Sequence, residues 1–286
     1  VTTLKVRRIE RWAAGRVWRY SLIDLENLLM NTNTVRTGSL TEISSYPKWA
    51  REMIEACEPA RRSVRDHVMW DMMSEGSIDL ATMRNFMVGT WSLIERFPSF
   101  MALNLLKTRY GRSAGDNMAR RWLVRNIRVE QNHAEYWLDW AEGAGVSREE
   151  VLDGMPPRGT QTAADWCHDV SGRDSLAAGI AATNYAIEGV TGEWSQKVFD
   201  SVAYANSLPE AGRKATLRWL QLHAAYDDTH PWEALEIVCT LMGSQPAAEE
   251  VEHVRECIER SYVSLHYGLE RCLLQHEVGG VEEQAA

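Results

Sequence analysis

Long hydrophobic runs are missing from this chain: no uninterrupted apolar stretch approaches the about 18 residues that a membrane span requires. Residues 1–20 carry scattered arginines but no apolar signal core, so the sequence predicts a cytoplasmic protein with no stable membrane association. Proline is scarce, 8 in 286 residues, and no Pro/Gly/Ser-rich linker interrupts the chain, which favours one well-filled core over two small ones. The five cysteines (Cys57, Cys167, Cys239, Cys257, Cys272) are far apart, odd in number and without a CxxC pair, which excludes a disulfide framework or a zinc knuckle. Positive charge is in deficit: the formal net charge is −9, the wrong sign for a nucleic-acid or anionic-membrane binder.

What the chain does have is apolar residues at helical spacing, and the fold expectation is all-α. The periodicity predicts helices over 47–58, 60–74, 79–97, 98–110, 114–143, 173–204, 208–229, 231–243 and 247–276. A looser section, GVSREEVLDGMPPRGTQT, separates the fifth from the sixth. Asp79 is placed to cap the third helix and Pro98 to end it. Residues 1–35 read as an N-terminal appendage, partly helical at most, ahead of a domain over 36–286. Twelve tryptophans, most within helical patterns, suit a bulky core or the wall of an apolar cavity.

The stretch WLQLHAAYDDTHPWEALEI, residues 219–237, strings His223, Asp227 and His230 at i, i+4 and i+7. At about 100° per residue these lie within roughly 60° of one another, while Asp228 points about 140° away toward solvent. Two imidazoles and a carboxylate on one face suit iron, zinc or manganese; the bland reading is a buried hydrogen-bonded network. Pro231 should bend or restart the helix, so that the His230 ring can be aimed independently.

Other candidates lie upstream. In RNIRVEQNHAEYWLDW, Glu130 precedes His133 by three, the relation by which one helix gives a metal both a carboxylate and an imidazole. His133 falls on a stripe with Val129, Trp137 and Trp140, which predicts burial. Glu188 sits in a strip of small residues, Ala177, Ala181, Asn184, Thr191 and Ser195, whose clearance suits a metal and a substrate; the alternative is a carboxylate paired with an arginine. Glu193, about 140° from Glu188, should be solvated. Glu95 shares a face with Val88 and Trp91 and is a weaker candidate, either as a ligand or as a partner for a ligand histidine. Glu250 and His253 repeat the Glu-x-x-His spacing formally, but AAEEVEHVRE reads as an exposed charged face.

The stretches RRWLVRNIRVEQNHAEYW, AATNYAIEGVTGEWS and WLQLHAAYDDTHPWEALEI closely resemble the non-haem iron fatty-acid decarboxylases that form 1-undecene. These belong to the haem-oxygenase-like diiron oxidase superfamily, whose fold is shared with TenA and thiaminase-like proteins. The similarity spans roughly 36–275. It implies a single haem-oxygenase-like (TenA-like) helical bundle with iron ligands at Glu130, His133, Glu188, His223, Asp227 and His230. It also implies the activity: O2-dependent conversion of a medium-chain fatty acid to a terminal alkene and CO2, with loss of a hydrogen β to the carboxylate. The cofactors would be one or two non-haem irons, with O2 as co-substrate and an external electron donor. Glu130, His133 and His223 would suffice for one iron; Asp227 and His230 would help hold a second, and Glu188 would bridge. Relatives in the superfamily use similar ligand sets for N-oxygenation or C–C cleavage of amino acids, and thiaminase-like hydrolases of the same fold use a cysteine and no metal. Haem oxygenase itself fits poorly, since one axial histidine leaves the carboxylates unexplained.

Overall fold

The computed structural model describes residues 35–226 and 229–273, so the appendage expected over 1–35 lies outside the described residues but for Val35. Among the described residues there is no strand. The helices are α1 (Lys48–Arg65), α2 (Val68–Ser74), α3 (Leu80–Lys107), α4 (Ala114–Glu130), α5 (His133–Gly143), α6 (Arg148–Asp153), α7 (Thr162–Arg173) and α8 (Leu176–Ile180). A π-helix, Ala181–Ile187, runs on into α9 (Glu188–Phe199). There follow α10 (Val202–Ser207), α11 (Arg213–Thr216), α12 (Arg218–Tyr226), α13 (His230–Met242) and α14 (Ala248–Leu273).

The two longest helices, α3 and α14, form the frame. They pack against each other; α14 also covers α1, α7 and the π-helix, and α3 also covers α4, α5 and α7. Asp79 caps α3 as expected, its Oδ1 accepting the Thr82 N–H at 2.9 Å. Pro98, however, does not end that helix. Phe97 just before the proline and Phe100, Met101 and Asn104 beyond it are buried, and this packing carries the helix through the lost backbone donor. Pro59 sits inside α1 in the same way, so the break expected near residue 59 falls instead at His67, the N-cap of α2.

The loose section holds α6, started by a capping box between Ser147 and Glu150. Beyond it α7 is a helix that the periodicity did not reveal. Its buried residues are Ala163, Ala164, Cys167, Val170 and Ser171, too small to stand out as an apolar stripe.

Tryptophans fill the centre. Trp70 and Trp194 stack at 4.2 Å between ring centroids, and Trp137 meets Trp219 edge-on at 5.0 Å. Three of the four deepest have their polar edges satisfied: Trp70 Nε1 donates to the Val64 carbonyl, Trp137 Nε1 to Met87 and Trp140 Nε1 to the Tyr204 hydroxyl, whereas the buried Trp219 Nε1 has no hydrogen-bond partner.

Candidate metal centre

Four of the six candidate ligands meet at one cavity. Glu130, His133, Glu188 and His223 all line a hollow of about 580 Å³ walled by Trp70, Trp137, Trp194 and Trp219. Leu93, Ile94 and Phe97 of α3 and Leu265 and Leu269 of α14 line it too. A smaller hollow, about 260 Å³, shares Thr90, Leu93, Leu265 and Leu269 with it and has none of the four polar residues, so the space extends on its apolar side.

Glu130 and His133 do not belong to one helix, as the i, i+3 spacing suggested. Glu130 is the last residue of α4 and His133 the first of α5, with Gln131 and Asn132 in the turn between. Asparagine is a weak helix former, and its place here suits a break. Val129 is correspondingly left exposed, while Trp137 and Trp140 are buried. The turn brings His133 Nδ1 to 2.7 Å from Glu130 Oε2. The approach lacks hydrogen-bond geometry, and His133 Nδ1 is a buried nitrogen without a hydrogen-bond partner. A ring nitrogen and a carboxylate oxygen that lie side by side without hydrogen-bond geometry are disposed as two ligands of one cation are.

His223 is prepared from the other side. Its Nδ1 donates to the Trp219 carbonyl, 2.8 Å away, one turn back on α12. That bond puts the proton on Nδ1 and leaves the Nε2 lone pair available, the arrangement that orients metal-binding histidines. The ring stacks on Trp219 at 3.7 Å and lies 4.6 Å from the His133 ring. Burial first, and then the neighbouring His133, push its pKa well below the ordinary value, so it is a neutral imidazole rather than a cation.

Glu188 follows the π-helix, a wider turn often found at functional sites. Every residue of that turn is buried, and Asn184 Nδ2 donates to Glu188 Oε1 at 3.1 Å. Thr183 Oγ1 shares its one proton between the Gly179 carbonyl and Asn184 Oδ1, which turns the amide nitrogen toward the carboxylate. Nearby, Arg61 forks onto Glu193, which is half-buried rather than solvated as expected. Asn184 and Trp219 are the positioning residues that the sequence reading did not identify. The signal was present in the i, i+4 spacings Asn184/Glu188 and Trp219/His223.

The remaining candidates fall differently. Thr229 is the non-helical N-cap of α13, which His230 opens with Pro231 in its first turn, so the single helical face drawn through 223, 227 and 230 is interrupted before His230. His230 is not among the cavity's lining residues, although Glu130 and His133 are close enough to act on its charge; burial, the largest influence, lowers its pKa. Asp227 and Asp228 lie outside the described residues. Glu95 is exposed on α3 and does not face the cavity. Glu250 is exposed, and His253 pairs with Asp174 at 2.6 Å away from the cavity residues.

The donor set of two glutamates and two histidines, with one histidine nitrogen orphaned and another presented by its carbonyl bond, fits a first-row transition metal such as iron. Comparisons agree in kind. Residues 84–263 match the model of a haem-oxygenase-like family described as iron-containing redox enzymes. A TenA homologue from Pseudomonas syringae is 46% identical over 83% of this chain and 98% of its own, with a TM-score of 0.81. A TenA homologue from Pyrococcus furiosus (16% identity, 78% of this chain and 99% of its own, TM-score 0.63) shares the fold. So does a haem-oxygenase-like domain of unknown function from Shewanella denitrificans (16%, 82% and 97%, TM-score 0.65). No curated protein matches the chain.

Proposed function

Since the chain belongs to the haem-oxygenase-like family of iron-containing redox enzymes, we propose that it is an O2-dependent decarboxylase that converts a medium-chain fatty acid to a terminal alkene and CO2. The observation that carries this reading is the cavity itself: two carboxylates and two imidazoles open onto a space otherwise lined largely by apolar and aromatic side chains. A substrate with a polar head and a long saturated tail matches such a lining. The run-by-run sequence resemblance selects fatty-acid decarboxylation over the amino-acid oxidations of related proteins.

Glu130, His133, Glu188 and His223 would hold iron, with Asp227 and His230 as further ligands if two bind. Bound iron would supply the one-electron chemistry of O2 activation that no side chain can. The chain's own part is then definable. The Trp219 carbonyl keeps the His223 proton on Nδ1, so that Nε2 stays a ligand, and Asn184 holds the Glu188 carboxylate in position. The tryptophan walls exclude bulk water from the reacting carbons, and Leu93, Ile94, Phe97, Leu265 and Leu269 offer the tail an apolar bed. The fatty acid would lose its carboxyl carbon as CO2 and one β hydrogen, two electrons passing to the oxidant.

The metal-free, cysteine-dependent hydrolase of the same fold is the second reading. Against it, no cysteine lines the cavity, and burial pushes the thiols of Cys57, Cys167, Cys257 and Cys272 up to about 12 and that of Cys239 higher still. Such thiols are not nucleophiles at neutral pH.

The test is to incubate iron-loaded protein with saturated fatty acids of graded length, O2 and a reductant, and to search the headspace for alkenes one carbon shorter. Hydroxylated acids alone, or no product, would refute decarboxylation. Activity that survives iron chelation but not thiol alkylation would favour the hydrolase.

A further inference from the structure

Among the described residues, two clusters of metal-type donors are made of residues that do not line the cavity, and their hydrogen bonding separates them. In the first, His67, His266 and Glu270 approach one another. There His67 Nδ1 accepts the Met69 N–H as the N-cap of α2, so its proton sits on Nε2 and is donated to Glu270 Oε1 at 2.8 Å. Both ring nitrogens are committed, and the group is a closed hydrogen-bonded network.

In the second, Asp174 follows α7, while His253 and Cys257 are one turn apart on α14. One ligand atom from each lies within 4.8 Å of the others. His253 Nε2 is 2.6 Å from Asp174 Oδ1 and 3.9 Å from Cys257 Sγ. A Cys-His-Asp relay would put the thiol and the acid on opposite nitrogens of the ring. Here both face the same nitrogen, so three different donors point at one small volume. Nor is the histidine proton held on Nε2 by a bond at Nδ1 like that of His67. The His253 side chain is 48% exposed, so Nδ1 can hydrogen-bond to water while Nε2 faces the other two donors.

We propose that Asp174, His253 and Cys257 form a second metal site, distinct from the candidate iron centre, that takes a zinc-type divalent cation, with water completing its coordination. The donor set is the mixed thiolate, imidazole and carboxylate that such ions prefer. Zinc bonds of about 2.3 Å to sulfur and about 2.0 Å to nitrogen and oxygen require donor separations of roughly 3.3–3.5 Å, so the three atoms need shift by less than about 1 Å. The balance is simple: the thiol gives up its proton as the sulfur–metal bond forms, and nothing is oxidised. Asp174 Oδ1 already accepts the Ser175 N–H, which fixes the carboxylate at the start of α8. A cation there would pin α14 to the segment that runs through α8 and the π-helix to Glu188.

Cobalt(II) is the probe, because a thiolate ligand gives it a sulfur-to-metal charge-transfer band in the near ultraviolet, and the four donors at the cavity include no sulfur. The full-length protein titrated with cobalt under reducing, oxygen-free conditions should develop this band to one equivalent and lose it when zinc is added. Cys257→Ser should abolish the band, and His253→Ala, at a half-exposed position that tolerates truncation, should weaken cobalt binding at this site by tenfold or more. The proposal is overturned if the wild-type protein binds cobalt without the band, or if the band persists in Cys257→Ser.

Discussion

Asn184→Leu isolates one contact at the centre of the proposed iron site. The side chain is fully buried in the π-helix, and leucine has the same branched skeleton of heavy atoms, so the change removes a donor without opening a cavity. What is lost is the 3.1 Å bond from Nδ2 to Glu188 Oε1. A hydrogen bond to a charged group contributes about 1.5–3 kcal/mol, which corresponds to a change of about 10- to 100-fold in an equilibrium constant. Loss of the partner that orients a ligand carboxylate weakens metal affinity by a similar factor. Iron affinity measured by equilibrium dialysis should therefore fall by about 10- to 100-fold while the helical circular dichroism is retained. Thr183 Oγ1 keeps the Gly179 carbonyl as an acceptor, so no second buried group is stranded. An Asn184→Leu protein that binds iron as tightly as the wild type would refute the idea that this amide positions Glu188 as a ligand.

Further expectations follow from the same geometry. His223→Ala should lose bound iron and alkene formation together, and full iron occupancy by elemental analysis would contradict the assignment. Each methylene removed from a tail that fits the cavity costs about 0.8 kcal/mol of burial, so kcat/KM should fall about fourfold per carbon below the preferred length; a flat series would mean that the tail lies elsewhere. Burial, the largest influence on each, lowers the pKa of His67, His223 and His230 in the folded chain, so these histidines take up protons more readily when unfolded. Stability is thus full above about pH 6.5 and declines as the pH falls from there toward the depressed folded values, which thermal melts of the metal-free protein between about pH 7.5 and 5.5 should register as a falling midpoint.

Much of the architecture was legible because it rests on periodicity. The apolar spacing of the long helices predicted an all-helical chain, and Asp79 announced its cap. The errors came where tertiary packing overrode a local rule. Proline is a helix breaker in isolation, but at Pro59 and Pro98 the packed faces of α1 and α3 outweighed one missing hydrogen bond. Helix α7 stayed hidden because its buried side is made of small residues. Counting 100° per residue from Val88 and Trp91 placed Glu95 inward, yet it is exposed, because at this point α3 buries the face of Leu93, Phe97 and Phe100, about 140–160° away.

The sequence by itself determined the chemistry available: which residues can ligate a metal, that they lie far apart in the chain, and that no apolar run is long enough to cross a membrane. Resemblance of whole runs named the family. Only the tertiary structure decided which of these residues meet, since helical registers say nothing about where one helix ends and the next begins. The turn at Gln131 and Asn132 brings Glu130 against His133, the non-helical Thr229 separates His230 from the helix of His223, and the π-helix carries Asn184 to Glu188. Each is a break in helical regularity held by packing between segments distant in sequence, and there the spacing rules cease to apply.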